Sequence, residues 1–387
     1  MWVDPFTGQE TPIPMFEPWL GWRERELLGD CIHANWITGG PMVKEFEGRM
    51  RQLTGAKHAI ACMNGTMAIV VALMAVGAKR GDEVLVPDFT FVATANAALL
   101  LGARVRFVDV DEAMNLDPGE LLEMVMRSTA GVRRFLLPVH IYGKSADMSA
   151  ITLLARDYGI SVVEDAAQGV GVTHRGRHTG TWGNAGAISF YADKTMTTGE
   201  GGMVLTNDDA VAEKCVYALN QGRLHRGEYV HPQVGWNFRM TDLQAAVGLA
   251  QLEKLPEIIR LKREHEARYR EKLNGVVDFP PFGDEDVPFR HNVLVSDPES
   301  LQAYLKENGV ASTRFFKPLH TQPCYQGRPD VKVRGLFPGA DRAYARGLSL
   351  PSSAQITEEQ IDYVCERVRE WAGNNAETPI QHSGAHA

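Results

Sequence analysis

Ser189-Phe190-Tyr191-Ala192-Asp193-Lys194-Thr195-Met196-Thr197-Thr198-Gly199-Glu200-Gly201-Gly202 sets a lysine just past an apolar run and just ahead of a glycine-rich turn. The run Gly186-Ala187-Ile188-Ser189-Phe190-Tyr191 reads as a buried strand, and Met203-Val204-Leu205-Thr206 as the next one. Lys194 therefore falls at a strand end, among small residues that admit a ligand. A lysine amine can form a Schiff base with an aldehyde cofactor. The competing reading of any single lysine is a solvated surface charge.

Two further stretches narrow the choice. Ile160-Ser161-Val162-Val163-Glu164-Asp165-Ala166-Ala167-Gln168-Gly169 is a β-branched strand that ends in two carboxylates. A carboxylate at such a tip can keep the pyridine nitrogen of pyridoxal 5′-phosphate protonated, which makes the ring an electron sink. Asp165 could equally cap a helix. Cys62-Met63-Asn64-Gly65-Thr66-Met67-Ala68 leads into an apolar helix through about Val76. Gly65 frees the backbone, Thr66 offers a hydroxyl, and a helix N-terminus presents unpaired N–H groups, which together make an anion site. An ordinary turn and cap is the alternative.

From Ala56 to Thr206 short apolar strands alternate with helical stretches; examples are Glu83–Val86, Val105–Val108, Arg134–Val139 and Ser161–Val163. This rhythm predicts an α/β fold with a mostly parallel sheet covered by helices. Ligands in such sheets lie beyond the carboxyl ends of the strands, where Asn64, Asp88, His140, Asp165 and Lys194 fall. Leu243 to Leu273 reads as a long helix broken near Pro256. The expected division is a large domain over 1–255, a smaller C-terminal α/β domain over 256–372, and a small, polar, disordered tail over 373–387. In the smaller part, Asn292–Val295 reads as a strand, and Pro298–Asn308 and Glu358–Trp371 as helices.

The 387 residues are 44% apolar and 23% charged, with a net charge of −8, which argues against a general nucleic-acid surface. Five scattered cysteines without a Cys-x-x-Cys pattern read as reduced thiols. No stretch approaches the roughly 20 apolar residues of a membrane span. With no secretory leader in view, the chain is expected in the cytoplasm. His174 and His178 have metal-ligand spacing, but Gly176 and Gly180 favour a basic hairpin, so no metal site is expected. Phe89 and Phe91 alternate as strand core residues do. His140 and His320 each allow a packing role as well as a ligand contact.

Asn64-Gly65-Thr66, Pro87-Asp88-Phe89-Thr90-Phe91-Val92-Ala93, His140-Ile141-Tyr142-Gly143, Glu164-Asp165-Ala166-Ala167-Gln168 and the lysine segment occur in that order. Trp236-Asn237-Phe238-Arg239-Met240-Thr241-Asp242 and Pro318-Leu319-His320 follow. Over roughly residues 12–370 the chain resembles the sugar aminotransferases of the DegT/DnrJ/EryC1/StrS family, within the fold-type-I enzymes that use pyridoxal 5′-phosphate. The resemblance implies an aspartate-aminotransferase-like fold: a large domain with a mostly parallel seven-stranded sheet, plus the smaller domain. It also implies Lys194 as Schiff-base lysine and proton shuttle, and Asp165 as partner of the pyridinium. Gln168 would bond the ring hydroxyl and Phe91 would stack on the ring. Gly65, Thr66 and Ser189 would hold the phosphate. Asn237 would reach the phosphate from a neighbouring subunit, giving a homodimer with shared sites.

For substrates, the resemblance implies glutamate as amino donor and a nucleotide-linked ketosugar as acceptor, with His320, Arg314, Lys317 and Tyr325 near the sugar. The start Ile13–Pro18, the lysine segment and Phe315–His320 are most similar to members that aminate a GDP-linked 4-keto-6-deoxysugar for polysaccharide or glycoside biosynthesis. A UDP- or dTDP-linked 3- or 4-ketosugar is the alternative. A dehydratase branch of the family carries histidine in place of the lysine, and Lys194 argues against it. Trp236 stands where tyrosine is more usual, and the resemblance gives no interpretable counterpart for Leu224-His225-Arg226-Gly227-Glu228.

Overall fold

Most strand residues in the first half of the chain are apolar because both faces of their sheet are covered by helices. In the computed structural model, which describes residues 2–3, 10–127, 131–225, 227, 229–333 and 335–376, the principal elements begin with α1 (Trp22–His33), α2 (Pro41–Thr54), β1 (His58–Cys62) and α3 (Gly65–Ala75). There follow β2 (Glu83–Pro87), α4 (Ala93–Leu100), β3 (Arg104–Val108), α5 (Pro118–Met126), β4 (Arg134–Leu136) and α6 (Met148–Asp157). Next come β5 (Ser161–Asp165), β6 (Ala185–Ser189), β7 (Gly202–Thr206), α7 (Asp209–Leu219) and α8 (Asp242–Lys272). The remainder is β8 (His291–Leu294), α9 (Pro298–Glu307), β9 (Thr313–Arg314), β10 (Val331–Lys332), α10 (Pro338–Arg346), β11 (Gly347–Leu350) and α11 (Glu358–Ala376).

The large sheet has the order β10-β3-β2-β4-β5-β6-β7-β1. Only β7 runs against its neighbours, β6 and β1. β2 and β6 are buried at every position, as sheets covered on both faces require. Seven strands match the sequence reading. The eighth, two-residue β10, comes from the C-terminal part of the chain and pairs with β3 at the edge. Two residues carry too little pattern to be read as a strand; the pairing is long-range.

β8, β11 and β9 form a separate antiparallel sheet. Its core joins Tyr269 of α8, Leu301 of α9 and Val364 of α11. Ile13 enters the same core and its N–H donates to the Gly309 carbonyl at 2.8 Å. The N-terminal segment therefore lies on the C-terminal part of the molecule.

Three boundaries depart from the sequence reading. α8 runs through Pro256 without the expected break. The missing N–H and ring clash cost about 3 kcal/mol. Burial of Leu249, Leu252, Leu255 and Ile258 along the same helix offsets this. α11 continues to Ala376 rather than ending at Trp371, so the first residues of the expected tail are helical. Residues 377–387, the rest of that tail, lie outside the described residues. β4 stops at Leu136, before Pro138, which has no N–H to donate.

α2 begins at Gly40, which has no side chain to cap it. Asp242, the first residue of α8, supplies the cap across space. Its carboxylate accepts from the N–H groups of Gly40 at 2.6 Å, Val43 at 3.0 Å and Met42 at 3.3 Å. Asp242→Ala should orphan these donors and destabilise the protein by about 2–3 kcal/mol. A chemical denaturation midpoint equal to that of the wild type would show that α2 is held in another way.

Candidate active site

The loops after β1, β2, β5 and β6 open on one side of the sheet and enclose a cavity of about 510 Å³. Asn64, Gly65, Thr66, Phe91, Thr94, Asp165, Gln168, Ser189 and Lys194 all line it. The two carboxylates at the end of β5 part company because successive side chains on a strand face opposite ways. Glu164 is built into the structure. It accepts from the N–H groups of Gly180, Trp182 and Gly183 at 2.6–2.8 Å, and from His140 Nε2 at 3.0 Å. His140 accepts the Ala146 N–H at Nδ1 and is fully buried, so its role is packing.

Asp165 faces the cavity. Its Oδ2 accepts from the Thr94 hydroxyl at 2.7 Å and its Oδ1 from the Ala167 N–H at 3.1 Å. Burial pushes its carboxyl above the usual range, and these hydrogen bonds and the Lys194 charge oppose that only in part. Among the described residues it has no salt bridge. A buried carboxylate without a counter-ion favours a cationic ligand group.

Lys194 approaches from the loop after β6. Burial lowers its pKa from that of ordinary lysine, with Asp193 pulling the other way. Its Nζ lies 3.4 Å from Asp193 Oδ1 and 4.4 Å from the centre of the Phe289 ring. Arg290 Nη2 reaches the other oxygen of Asp193 at 3.3 Å. The effect is a larger fraction of neutral, nucleophilic amine than a surface lysine has.

At the opposite end, Asn64 caps α3 by accepting the Met67 N–H at 2.9 Å. The Gly65 backbone lies against Ser189, and a Cβ at Gly65 would stand 2.6 Å from the Ser189 Cβ and 2.8 Å from its Oγ. The N–H groups of the first turn of α3, the Thr66 side chain and the Ser189 hydroxyl are gathered in this cradle. Gln168 accepts the Tyr142 N–H at its side-chain oxygen at 2.6 Å, which leaves its amide donors for a ligand. Phe91 lies at the mouth, 56% exposed, tilted against Phe316, while Phe89 is core. An anion cradle, an unpaired carboxylate, an activated lysine and a free aromatic face fit a phosphorylated, aldehyde-bearing pyridine.

The other expected site residues lie elsewhere. Asn237 is exposed and does not line the cavity. His320 Nδ1 is 2.5 Å from Asp88, and its ring stacks on Phe337. Arg314 bonds Glu299 and the Tyr344 carbonyl. Tyr325 is buried, with its hydroxyl on Asn96 and the Val92 carbonyl. Lys317 is exposed outside the cavity. None of these four lines it. Conversely, Thr94, Tyr191, Asp193, Phe289, Arg290 and Phe316 line the cavity and were not singled out from sequence. Tyr191 and Asp193 stood within the lysine segment itself. Phe316 stood within the Phe315–His320 segment, whereas Phe289 and Arg290 arrive from the C-terminal part with no local spacing that points to them.

The chain matches the profile of the DegT/DnrJ/EryC1/StrS aminotransferase family over residues 20–369. It belongs to that family. It is 34% identical to GDP-perosamine synthase of Vibrio cholerae, over 93% of this chain and 99% of that protein. It is 37% identical to UDP-2-acetamido-2-deoxy-3-oxo-D-glucuronate aminotransferase of Pseudomonas aeruginosa, over 86% of this chain and 91% of that one. Among solved structures it superposes on S. venezuelae DesV in complex with a ketimine intermediate, with a TM-score of 0.87 and 30% identity, covering 94% of this chain and 99% of DesV. The chain is thus an aminotransferase of fold type I. No described helix is long and apolar enough to cross a membrane, and no described cluster of side chains could hold a metal.

The close contact at Gly65 gives a direct test. Gly65→Ala should close the cradle and lower affinity for pyridoxal 5′-phosphate by at least about tenfold. Affinity for unphosphorylated pyridoxal should hardly change. Equal losses for both ligands in equilibrium dialysis would remove the phosphate from this place.

Proposed function

We propose that this aminotransferase binds pyridoxal 5′-phosphate in the 510 Å³ cavity and moves an amino group from glutamate to a nucleotide-linked 4-keto-6-deoxysugar. The observation that carries the reading is the convergence of Lys194, Asp165 and the Gly65–Thr66–Ser189 cradle on one cavity. Bound there, the cofactor supplies an electron sink for the carbon that gains or loses its proton. Asp165, oriented by Thr94 and Ala167, would hold a protonated ring nitrogen and be kept ionised by it. Lys194 Nζ, held partly neutral by burial, acts as nucleophile and then carries the proton as general acid and base. The first turn of α3, Thr66 and Ser189 hold the phosphate, and the free amide of Gln168 donates to the ring oxygen. Phe91 offers an apolar face without a hydrogen bond that would tune the ring charge.

Arg290 is the sole guanidinium on the cavity wall among the described residues, and it takes an anionic part of a substrate. The side chains of His320, Arg314 and Tyr325 are already engaged within the chain, which leaves Lys317 as the exposed cation of that group. GDP is favoured as the nucleotide by the likeness to the Vibrio cholerae synthase. The Pseudomonas aeruginosa relative supports a second reading, a UDP-linked 3-ketosugar. Kinetics with GDP- and UDP-linked 3- and 4-ketosugars separate the two: turnover confined to 3-keto sugars would overturn the first. Turnover of keto acids alone would overturn both.

Lys194→Ala should abolish turnover. Borohydride should fix the cofactor on the Lys194 peptide of the wild type, as read by mass spectrometry. Attachment at any other lysine would sink the assignment. Asp165→Asn should keep most cofactor affinity but lose about a hundredfold or more in rate, because an amide does not stabilise a ring cation. A rate within twofold of wild type would contradict the role given to Asp165.

The protein works as a homodimer in which Asn237 serves the cavity of the other subunit. Exposed Asn237, half-exposed Phe91 and the exposed apolar side chains Trp22, Ile32 and Trp36 support this. Mixing inactive Lys194→Ala with an inactive Asn237→Ala protein should restore part of the activity, since one hybrid site then carries both residues. No recovery after verified subunit exchange would place Asn237 outside the partner's site.

A further inference from the structure

The ammonium of Lys262 is buried in the middle of α8, and its hydrogen bonds go to two backbone carbonyls, Phe289 at 3.2 Å and Ser352 at 3.0 Å. No described carboxylate forms a salt bridge with it. Desolvation lowers its pKa to about 7. An amine held this way costs the fold stability, and a methionine would fill the same volume. What the ammonium contributes is the fixed placement of two carbonyls, one of them on Phe289, which belongs to the wall of the cavity.

That wall is a short strap. The Phe289 N–H donates to the Tyr142 carbonyl at 3.1 Å, and the His291 N–H to Ser352 Oγ at 2.9 Å. The Ser352 N–H donates to the Met15 carbonyl at 2.9 Å. Lys262 thus joins α8 to the segment before β8, the segment after β11 and the N-terminal segment. Phe289 presents its ring to Lys194 Nζ, and Arg290 its guanidinium to Asp193. Lys194 and Lys262 also border one small cavity behind this wall.

We propose that Lys262 is a positioning residue for Lys194: through the Phe289 carbonyl it holds the ring that shields the reactive amine and the guanidinium beside it. The inference rests on Lys194 being the reactive lysine. The charged groups that face Lys194 are Asp193 and Arg290 at the loop and the strap, and Asp165 from β5. With the strap fixed, water stays off the amine and its proton affinity stays low. With the strap loose, the amine is hydrated and its proton affinity rises.

The test uses the full-length protein stripped of cofactor. The pH dependence of Lys194 acetylation is followed by mass spectrometry, and its midpoint is read independently of reagent access. Lys262→Met should raise that midpoint by about one pH unit, with wild-type circular dichroism. In a Phe289→Leu background the same substitution should give less than about half that shift, because its effect runs through Phe289. An unchanged midpoint would reduce Lys262 to a structural residue. An equal shift in both backgrounds would make it a bare charge and overturn the proposal. Should Lys262→Met not fold, Lys262→Gln, which removes the charge and keeps an amide NH2 on a shorter side chain, carries the same comparison. If Lys194 of the wild type titrates with the surface lysines and borohydride fixes no cofactor on it, the parent assignment has failed. That outcome is visible before any variant is made.

Discussion

The N-terminus of α3 sits so close to β6 and β7 that no side chain fits between them. A Cβ at Gly202 would strike the Asn64 carbonyl oxygen, just as one at Gly65 would strike Ser189. This contact fixes where the first turn of α3 points. β7 runs against its neighbours because a single loop returns the chain directly from β6 to the strand beside it. The chain leaves β6, loops out through Lys194, and returns beside α3 to pair with both β6 and β1. The lysine loop and the anion cradle are thereby set on the same side of the sheet by one packing constraint. α3 itself is buried from Ala68 to Leu73, so it cannot shift without disturbing the large core.

Around that frame the charges are distributed by strand geometry. Glu164 and Asp165 are adjacent, yet one saturates the backbone of the 180–183 turn and the other looks into the cavity with two hydrogen bonds and no counter-ion. The first is a structural carboxylate, and its neighbours satisfy it. The second is left electrostatically incomplete, and that is what makes it useful. Lys194 is its complement: an amine whose neutral form is favoured by burial while Asp193 keeps the charged form within reach. Proton transfer needs both forms to be accessible in a site that excludes water.

The C-terminal part contributes by closing the cavity rather than by supplying its chemistry. Phe289, Arg290 and Phe316 form the far wall, and Phe316 stacks on Tyr142 with the ring planes 9° apart. Tyr142 in turn fixes Gln168 through its N–H. α8 ties the two parts together: its first residue caps α2, and its middle, at Lys262, grips the wall. A continuous helix transmits both anchors, which a break at Pro256 would have uncoupled.

The sequence by itself determined the elements and half of the site. The βα rhythm, the buried strands, the apolar helix that starts near Gly65 and the strand-end positions of Asp165 and Lys194 all follow from interactions within a few residues, which local pattern encodes. Which side chains share the cavity is a different kind of fact. His320 had the family's loop around it, yet a buried carboxylate, Asp88, holds it outside. Tyr325 and Arg314 were similarly taken up by packing partners far away in the chain. Arg290, with no local signature, was brought in because the segment before β8 bonds to the backbone of Tyr142 and Gly143. Long-range contacts alone decide such pairings, since the energy that fixes them lies between segments remote in sequence, where no spacing along the chain records it.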